Sequence, residues 1–167
     1  MDKNYYITTP IYYPSANPHM GHAYSSIIAD FFARFKIIDD YQVHFLTGTD
    51  EHGLKIQRSA EKAGKEPQIF CDQISQTFRD LSDTLNLSNT DFIRTTEARH
   101  KKTVQHLWNE LEKNDDIYLS NYSGWYSVSD EAFYNEDEIE ELDGKKIATS
   151  SKSPVEWIEE ESYFFRL

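Results

Sequence analysis

"SANPHMGHAY", Ser15–Tyr24, is the stretch on which the rest of the chain is read. Ahead of it, "YYIT" (Tyr5–Thr8) is short, aromatic and β-branched, and Pro10 ends it, which is the pattern of a buried strand. Behind it a helix is expected. Asn17 suits the N-cap and Pro18 the first helical position, where no N–H is needed. Met20, Tyr24, Ile27, Ile28, Phe31, Phe35 and Ile38 then recur at three- and four-residue steps as one apolar stripe. Strand, polar loop and amphipathic helix in that order open an α/β unit.

His19 and His22 stand three apart, so both occupy one face at the start of that helix. The first N–H groups of a helix lack intrahelical partners and its dipole is positive there, so an anion is favoured. Gly21 carries no side chain, which lets a flat ring such as adenine lie close to the backbone. The three residues together suit a nucleotide triphosphate. Two other readings stay open: a pair of ordinary surface histidines, or a metal held by His19, His22, His52 and Asp50.

A second polar loop follows the second strand. Val43–Thr47 has strand character and Gly48–Gly53, within "TGTDEHG", leaves it. Ligands of open α/β sheets bind where strands end at their carboxyl edge, and both loops lie there. Asp50 or Glu51 could bind an ammonium group, order Mg²⁺ or take up a proton, with His52 as a donor; both carboxylates could equally be solvated loop charges. Tyr12 and Tyr13 read as pocket or core aromatics, Lys55 and Arg58 as charges on a solvent face, and Cys71 as a packing residue.

Further on, a short helix from Leu54 to Ala63 closes at Gly64. Pro67 opens another, with Phe70, Ile74, Phe78, Leu81 and Leu85 inward. "DFIRTT" is a third strand, and a helix carrying Val104, Leu107, Trp108 and Leu111 follows. Strands alternating with helices predict an α/β fold with a parallel sheet flanked by helices over residues 1–116. From Ile117 the texture is aromatic and strand-like, with Gly124 as a turn candidate. Residues 117–167 therefore read as a small, mostly β insert and the start of a return to the first domain. Glu136–Asp143 is expected to be a solvated surface or flexible loop. Tyr163–Leu167 is an apolar run without a closing signal, so the chain is expected to end inside a longer protein.

Composition narrows the function classes. The 167 residues, 38% hydrophobic and 14% aromatic, are enough to bury a core. Seventeen basic against 29 acidic residues leave a net charge of −12, which argues against a general nucleic-acid binder. The single cysteine excludes an internal disulfide framework and suits a reducing cytosol. The first residues lack a signal-peptide pattern, and no apolar run is long enough to span a bilayer, so a cytoplasmic location without membrane contact is expected.

"PHMGH" resembles the HIGH signature of class I aminoacyl-tRNA synthetases, with Met20 in the variable place. Small nucleotidyltransferases share HxGH, but they would not need the aromatic insert. "YYITTPIYYPSANPHMGHAYSSIIAD", "FLTGTDEHGLKI" and "PVEWIEEESYFFRL" together are similar to the methionyl-tRNA synthetase family, over essentially the whole chain. A synthetase for another apolar amino acid is disfavoured by "TGTDEHG" and "EESYFFRL". The resemblance implies the first half of a Rossmann-like catalytic domain that forms methionyl-adenylate from methionine and ATP with Mg²⁺ and passes methionine to the acceptor end of tRNA(Met). It implies that His19 and His22 are catalytic and bind the ATP phosphates, that Gly21 accommodates the adenosine, and that Asp50, the Ile11 carbonyl and Tyr13 bind methionine. The second half of the fold, the KMSKS loop and the anticodon-binding domain are expected beyond Leu167, so this chain is expected to be inactive alone. The insert departs from relatives with cysteine zinc knuckles: Ser129 stands where they have a cysteine, and no structural zinc is expected. A non-catalytic tRNA-binding remnant is the alternative that an intact His19, His22 and Asp50 set disfavours.

Overall fold

A computed structural model describes residues 3–142 and 144–166. The chain divides into two compact units, Met1–Lys102 and Thr103–Leu167. The first holds β1 (Asn4–Thr8), α1 (Met20–Ile38), β2 (Gln42–Thr49), α2 (Leu54–Lys62), α3 (Pro67–Thr84) and β3 (Asp91–Arg94). The three strands form one parallel sheet in the order β1-β2-β3, with Tyr6 beside His44 and Gly48 beside Ile93. This is the expected parallel α/β arrangement. The middle strand runs two residues further than its apolar stretch, through Gly48. A Cβ at Gly48 would collide with the Ile93 carbonyl oxygen, so only glycine lets the pairing continue.

The core has two centres. Phe45 of β2, fully buried, packs with Ala29 and Ala33 of α1 and with Ile7 and Val43. Tyr12, Phe78 of α3 and Phe92 of β3 pack together, with Ile74 against them. In α3, Pro67 starts the helix and Phe70 and Phe78 are buried, as the spacing predicts. Gly64 follows α2 with φ of 65°, in the left-handed conformation of a helix-terminating glycine.

α1 turns its small residues, not its apolar stripe, toward the sheet. Its buried face is made of Ala23, Ser26, Ala29 and Ala33, while Met20, Tyr24, Phe31 and Ile38 are exposed, Met20 by 83% and Ile38 by 84%. Small side chains let the helix approach Phe45 closely, so the apolar stripe lies on the opposite side. The helix also starts later than Asn17, at Met20.

In the second unit, α4 (Ala98–Lys113), which begins in the first, is followed by β4 (Ile117–Ser127), β5 (Ala132–Tyr134), β6 (Ile139–Leu142), β7 (Lys145–Ala148) and β8 (Glu156–Phe165). The division falls within α4, earlier than the texture change near Asp116. The Trp108 ring meets Tyr163 edge-on at 4.9 Å and Arg166 donates to the Asp115 carbonyl, which joins the second half of the helix to the strands. Val104, Leu107 and Trp108 are exposed rather than buried, and α4 has no fully buried residue. β5-β4-β8 form an antiparallel sheet and β6-β7 a hairpin. Gly124 lies inside β4 and not at a turn; the Phe133 ring packs where its side chain would be. The acidic run is ordered into a short 3₁₀ turn and β6, although Asp143, like Leu167, lies outside the described residues.

Candidate active site

The two loops are joined through their backbones. Past β1, Thr9 donates its N–H to Leu46 and Tyr12 donates to Gly48, at 3.1 and 3.0 Å. Asp50 returns an N–H to the Tyr12 carbonyl at 2.9 Å. Tyr12 is thereby a parallel-bridge partner of Thr49, and its hydroxyl meets Ser26 of α1 at 2.9 Å. Ile11 and Tyr13, on either side of Tyr12, are exposed at the carboxyl end of the sheet.

α1 is capped by the two histidines themselves, not by Asn17. His19 is the N-cap, with φ −130° and ψ 178°, and its Nδ1 accepts the Gly21 N–H at 3.0 Å. The His22 Nδ1 accepts the His19 N–H at 3.0 Å. This is a reciprocal capping box in which imidazoles replace the usual hydroxyl and carboxylate. With each Nδ1 accepting, the proton of each neutral ring sits on Nε2, so both rings offer Nε2–H as a donor. The rings lie 3.9 Å apart, and His22 also meets Tyr12 at 4.8 Å and Phe78 at 5.1 Å. Burial, and then the neighbouring His19, lower the His22 pKa below its ordinary value, so this ring is neutral at pH 7. Gly21 has a local reason to be glycine: a Cβ would come within 2.9 Å of the His19 ring, which rests against its backbone.

Ile11, Tyr13, Asn17, His19, His22 and Lys55 are among the residues around one open cleft of about 410 Å³, and among the described residues no carboxylate lines it. The structure thus brings four of the expected site residues, Ile11, Tyr13, His19 and His22, to one cavity. Asp50 is not part of its lining. It is half-buried beside it, and among the described residues its carboxylate has no hydrogen-bond or ion-pair partner. Lys55, read from sequence as a solvent-face charge, lines the cleft, with its ammonium 5.5 Å from the centre of the Tyr13 ring.

Glu51 is the residue whose place the sequence concealed. Its side chain is fully buried and receives Arg94 through Nε at 2.6 Å and Nη2 at 3.0 Å, Thr49 Oγ1 at 2.9 Å, Thr96 Oγ1 at 2.5 Å and the Ser75 hydroxyl. The Glu51 N–H donates to the Thr95 hydroxyl at 2.8 Å. Burial opposes charge on Glu51, but the donors from Arg94, Ser75, Thr96 and Thr49 outweigh it and hold the carboxyl below its ordinary range. Cys71 beside it, pushed up to about 11 by burial and by Glu51, stays a thiol. The signal that could have found this is Arg94, a cation at the end of a short strand and followed by two threonines, which calls for a carboxylate partner. His52 turns to the Thr95 carbonyl, 3.4 Å away. Among the described residues no group of three or more His, Cys, Asp or Glu side chains is placed to hold a metal.

In the second unit, Asp130 ties two loops together. It accepts from Ser151 at 2.5 Å, Ser153 at 2.7 Å and Tyr134 at 2.8 Å, while the buried Ser127 meets Ser129 at 3.1 Å. The Ser151, Ser153 and Tyr134 hydroxyls hold the Asp130 carboxyl at about 2.

The sequence profile of the family described as tRNA synthetases class I (M) matches residues 5–167. The chain belongs to that family. It is 49% identical over 163 residues to the methionine–tRNA ligase of Thermotoga maritima, covering 98% of this chain and 26% of that protein. It is 53% identical over 167 residues to the Rickettsia prowazekii enzyme, covering 100% of this chain and 32% of that one. The mitochondrial methionine–tRNA ligase of Takifugu rubripes is 52% identical, with 99% and 29% covered. Mycobacterium tuberculosis methionyl-tRNA synthetase in complex with methionyl-adenylate superposes with a TM-score of 0.93 at 49% identity, over 98% of this chain and 32% of that one. The parallel three-stranded sheet with its helices is the first half of this family's Rossmann-like domain. The chain spans about a third or less of the length of these relatives. No helix among the described residues is long and apolar enough to cross a membrane.

Proposed function

We propose that the chain is the ATP- and methionine-binding part of a methionine–tRNA ligase that forms methionyl-adenylate and transfers methionine to the acceptor end of tRNA(Met). The observation that carries this reading is the paired Nδ1 capping of His19 and His22. It leaves two Nε2–H donors on residues lining one cleft at the carboxyl end of a parallel sheet.

The reaction asks for positioning and charge stabilisation, since the methionine carboxylate is its own nucleophile. Its oxygen forms a bond to the α-phosphorus, the bond from phosphorus to the bridging oxygen breaks, and the electron pair leaves with pyrophosphate. No protein base is required. His19 and His22 donate Nε2–H to the α-phosphate oxygens as this occurs. Gly21 and the cap set the start of α1 against the adenosine. Asp50, with no partner of its own, takes the methionine ammonium with the help of the Ile11 carbonyl, and Tyr13 covers the thioether chain. Mg²⁺ arrives with the triphosphate, held by phosphate oxygens and water, because among the described residues the cleft lining offers no carboxylate. The insert needs no zinc: residues 117–167 contain no Cys or His, and Asp130 is occupied by the Ser151, Ser153 and Tyr134 hydroxyls. The two units correspond to the catalytic half-domain and a connective insert, in a cytoplasmic translation enzyme.

Methionine-dependent ATP–pyrophosphate exchange tests this directly. The full-length protein carrying this chain is expected to exchange with methionine and no other amino acid, and the 167-residue chain alone is expected not to. Exchange driven by another amino acid, or none in the full-length protein, would sink the reading.

A further inference from the structure

We propose that Lys55 is a cationic residue that receives the β- and γ-phosphates of the nucleotide and the departing pyrophosphate; this rests on the adenylating function argued above. Lys55 belongs to the cleft, being half-buried and lining it together with His19 and His22. The histidines supply hydrogen bonds through Nε2, since both Nδ1 atoms are spent as acceptors, and His22 is held neutral. Among the described residues that line the cleft, Lys55 is the one permanent cation. A triphosphate, and the charge that develops on its leaving pyrophosphate, therefore meets a full positive charge from Lys55.

Stability does not explain a lysine at this position. Lys55 is the second residue of α2, whose N-cap Gly53 provides no side-chain cap. A cation in the first helical turn faces the positive end of the helix dipole and is unfavourable there. Among the described residues no carboxylate lies within ion-pair distance of its ammonium. Its ammonium lies 5.5 Å from the centre of the Tyr13 ring, and both residues line the cleft. An unpaired cation, placed against the helix dipole and beside an aromatic ring in a cleft with two N–H donors, fits a polyanionic ligand. In the adenylation step the Pα–O bond to the β-phosphate breaks and its electron pair goes to pyrophosphate, and Lys55 compensates that charge without giving up a proton.

The test uses the full-length protein with Lys55→Met, which keeps the apolar stem, and Lys55→Arg, which keeps the charge. In ATP–pyrophosphate exchange, Lys55→Met is expected to lower kcat/KM for ATP by about 10- to 100-fold. KM for methionine should be unchanged, the inhibition constant for inorganic pyrophosphate should weaken, and Lys55→Arg should recover most of the loss. The melting temperature of Lys55→Met should not fall, since the substitution removes a cation from a helix start. Unchanged ATP and pyrophosphate constants in Lys55→Met would overturn the assignment. So would a change confined to KM for methionine, which would mean Lys55 acts only through Tyr13. If the parent protein shows no methionine-dependent exchange, the function itself is wrong, and pyrophosphate binding by calorimetry, parent against Lys55→Met, still judges Lys55.

Discussion

The two loops at the end of the sheet are held by opposite means. The His19–His22 turn is held by its own backbone: each imidazole spends Nδ1 on an N–H within the turn and keeps Nε2 for the cleft. The Asp50–Glu51 loop is held by side chains from β2, α3 and β3 that converge on Glu51, while Asp50 next to it remains unpaired. In the first loop each residue divides its atoms between structure and chemistry. In the second, the division is between neighbouring residues. A substitution should therefore separate stability from activity cleanly in the Asp50–Glu51 loop and poorly in the histidine turn.

The largest expected effect is on Glu51. Glu51→Ala leaves Arg94 and a ring of hydroxyls without their common acceptor and should cost about 3–5 kcal/mol, the range for breaking one side of a buried pair. Asp50→Ala, one residue away, removes a carboxylate that holds no partner among the described residues and should change stability by no more than about 0.5 kcal/mol. Urea unfolding of both variants makes the comparison, and equal losses would break it.

Next is the histidine turn. His19→Asn keeps a good capping side chain but cannot carry an Nε2–H to the cleft. In the full-length protein it should fold with near-parent stability and slow adenylation by about 10²-fold or more, the usual cost of one lost transition-state donor. His19→Ala should lose a comparable rate and in addition about 1 kcal/mol of cap. A His19→Asn protein with parent exchange kinetics would show that the turn is structural only.

The smallest effects are in the pH dependence. The Glu51 carboxyl is depressed in the folded state, so its contribution is complete above the ordinary carboxylate range and is lost as pH falls through the lower folded value. The lowered His22 pKa acts higher on the scale: the unfolded chain takes up the proton first, so stability falls as pH drops below 6.5. Denaturant midpoints measured from pH 8 to pH 5 should show this decline, and His22→Gln should remove it. A decline of the same size in His22→Gln would assign it to another group.

The sequence was a good guide where local chemistry decides. Pro67 and Gly64 mark helix ends because a fixed φ and a left-handed φ are local properties, and both ends are where they were read. It was a poor guide to which face of α1 is inward. Met20, Tyr24 and Phe31 form the more apolar stripe, yet Ala29 and Ala33 are the residues that fit against Phe45. Periodicity identifies a stripe but does not say which neighbour must come close.

The candidate site divides in the same way. Residue types and spacing alone determined an anion-facing helix start with two histidines and a glycine, and a carboxylate loop at the same sheet edge. Those properties follow from three-residue spacing on a helix and from where parallel strands end. Tertiary structure decided three things: that His19 rather than Asn17 caps α1, that Glu51 is buried while Asp50 is free, and that Lys55 lines the cleft. Each depends on partners distant in sequence or on the path of a loop. Glu51 is a structural carboxylate only because Ser75 and Arg94, from a helix and a strand folded onto it, arrive with their donors.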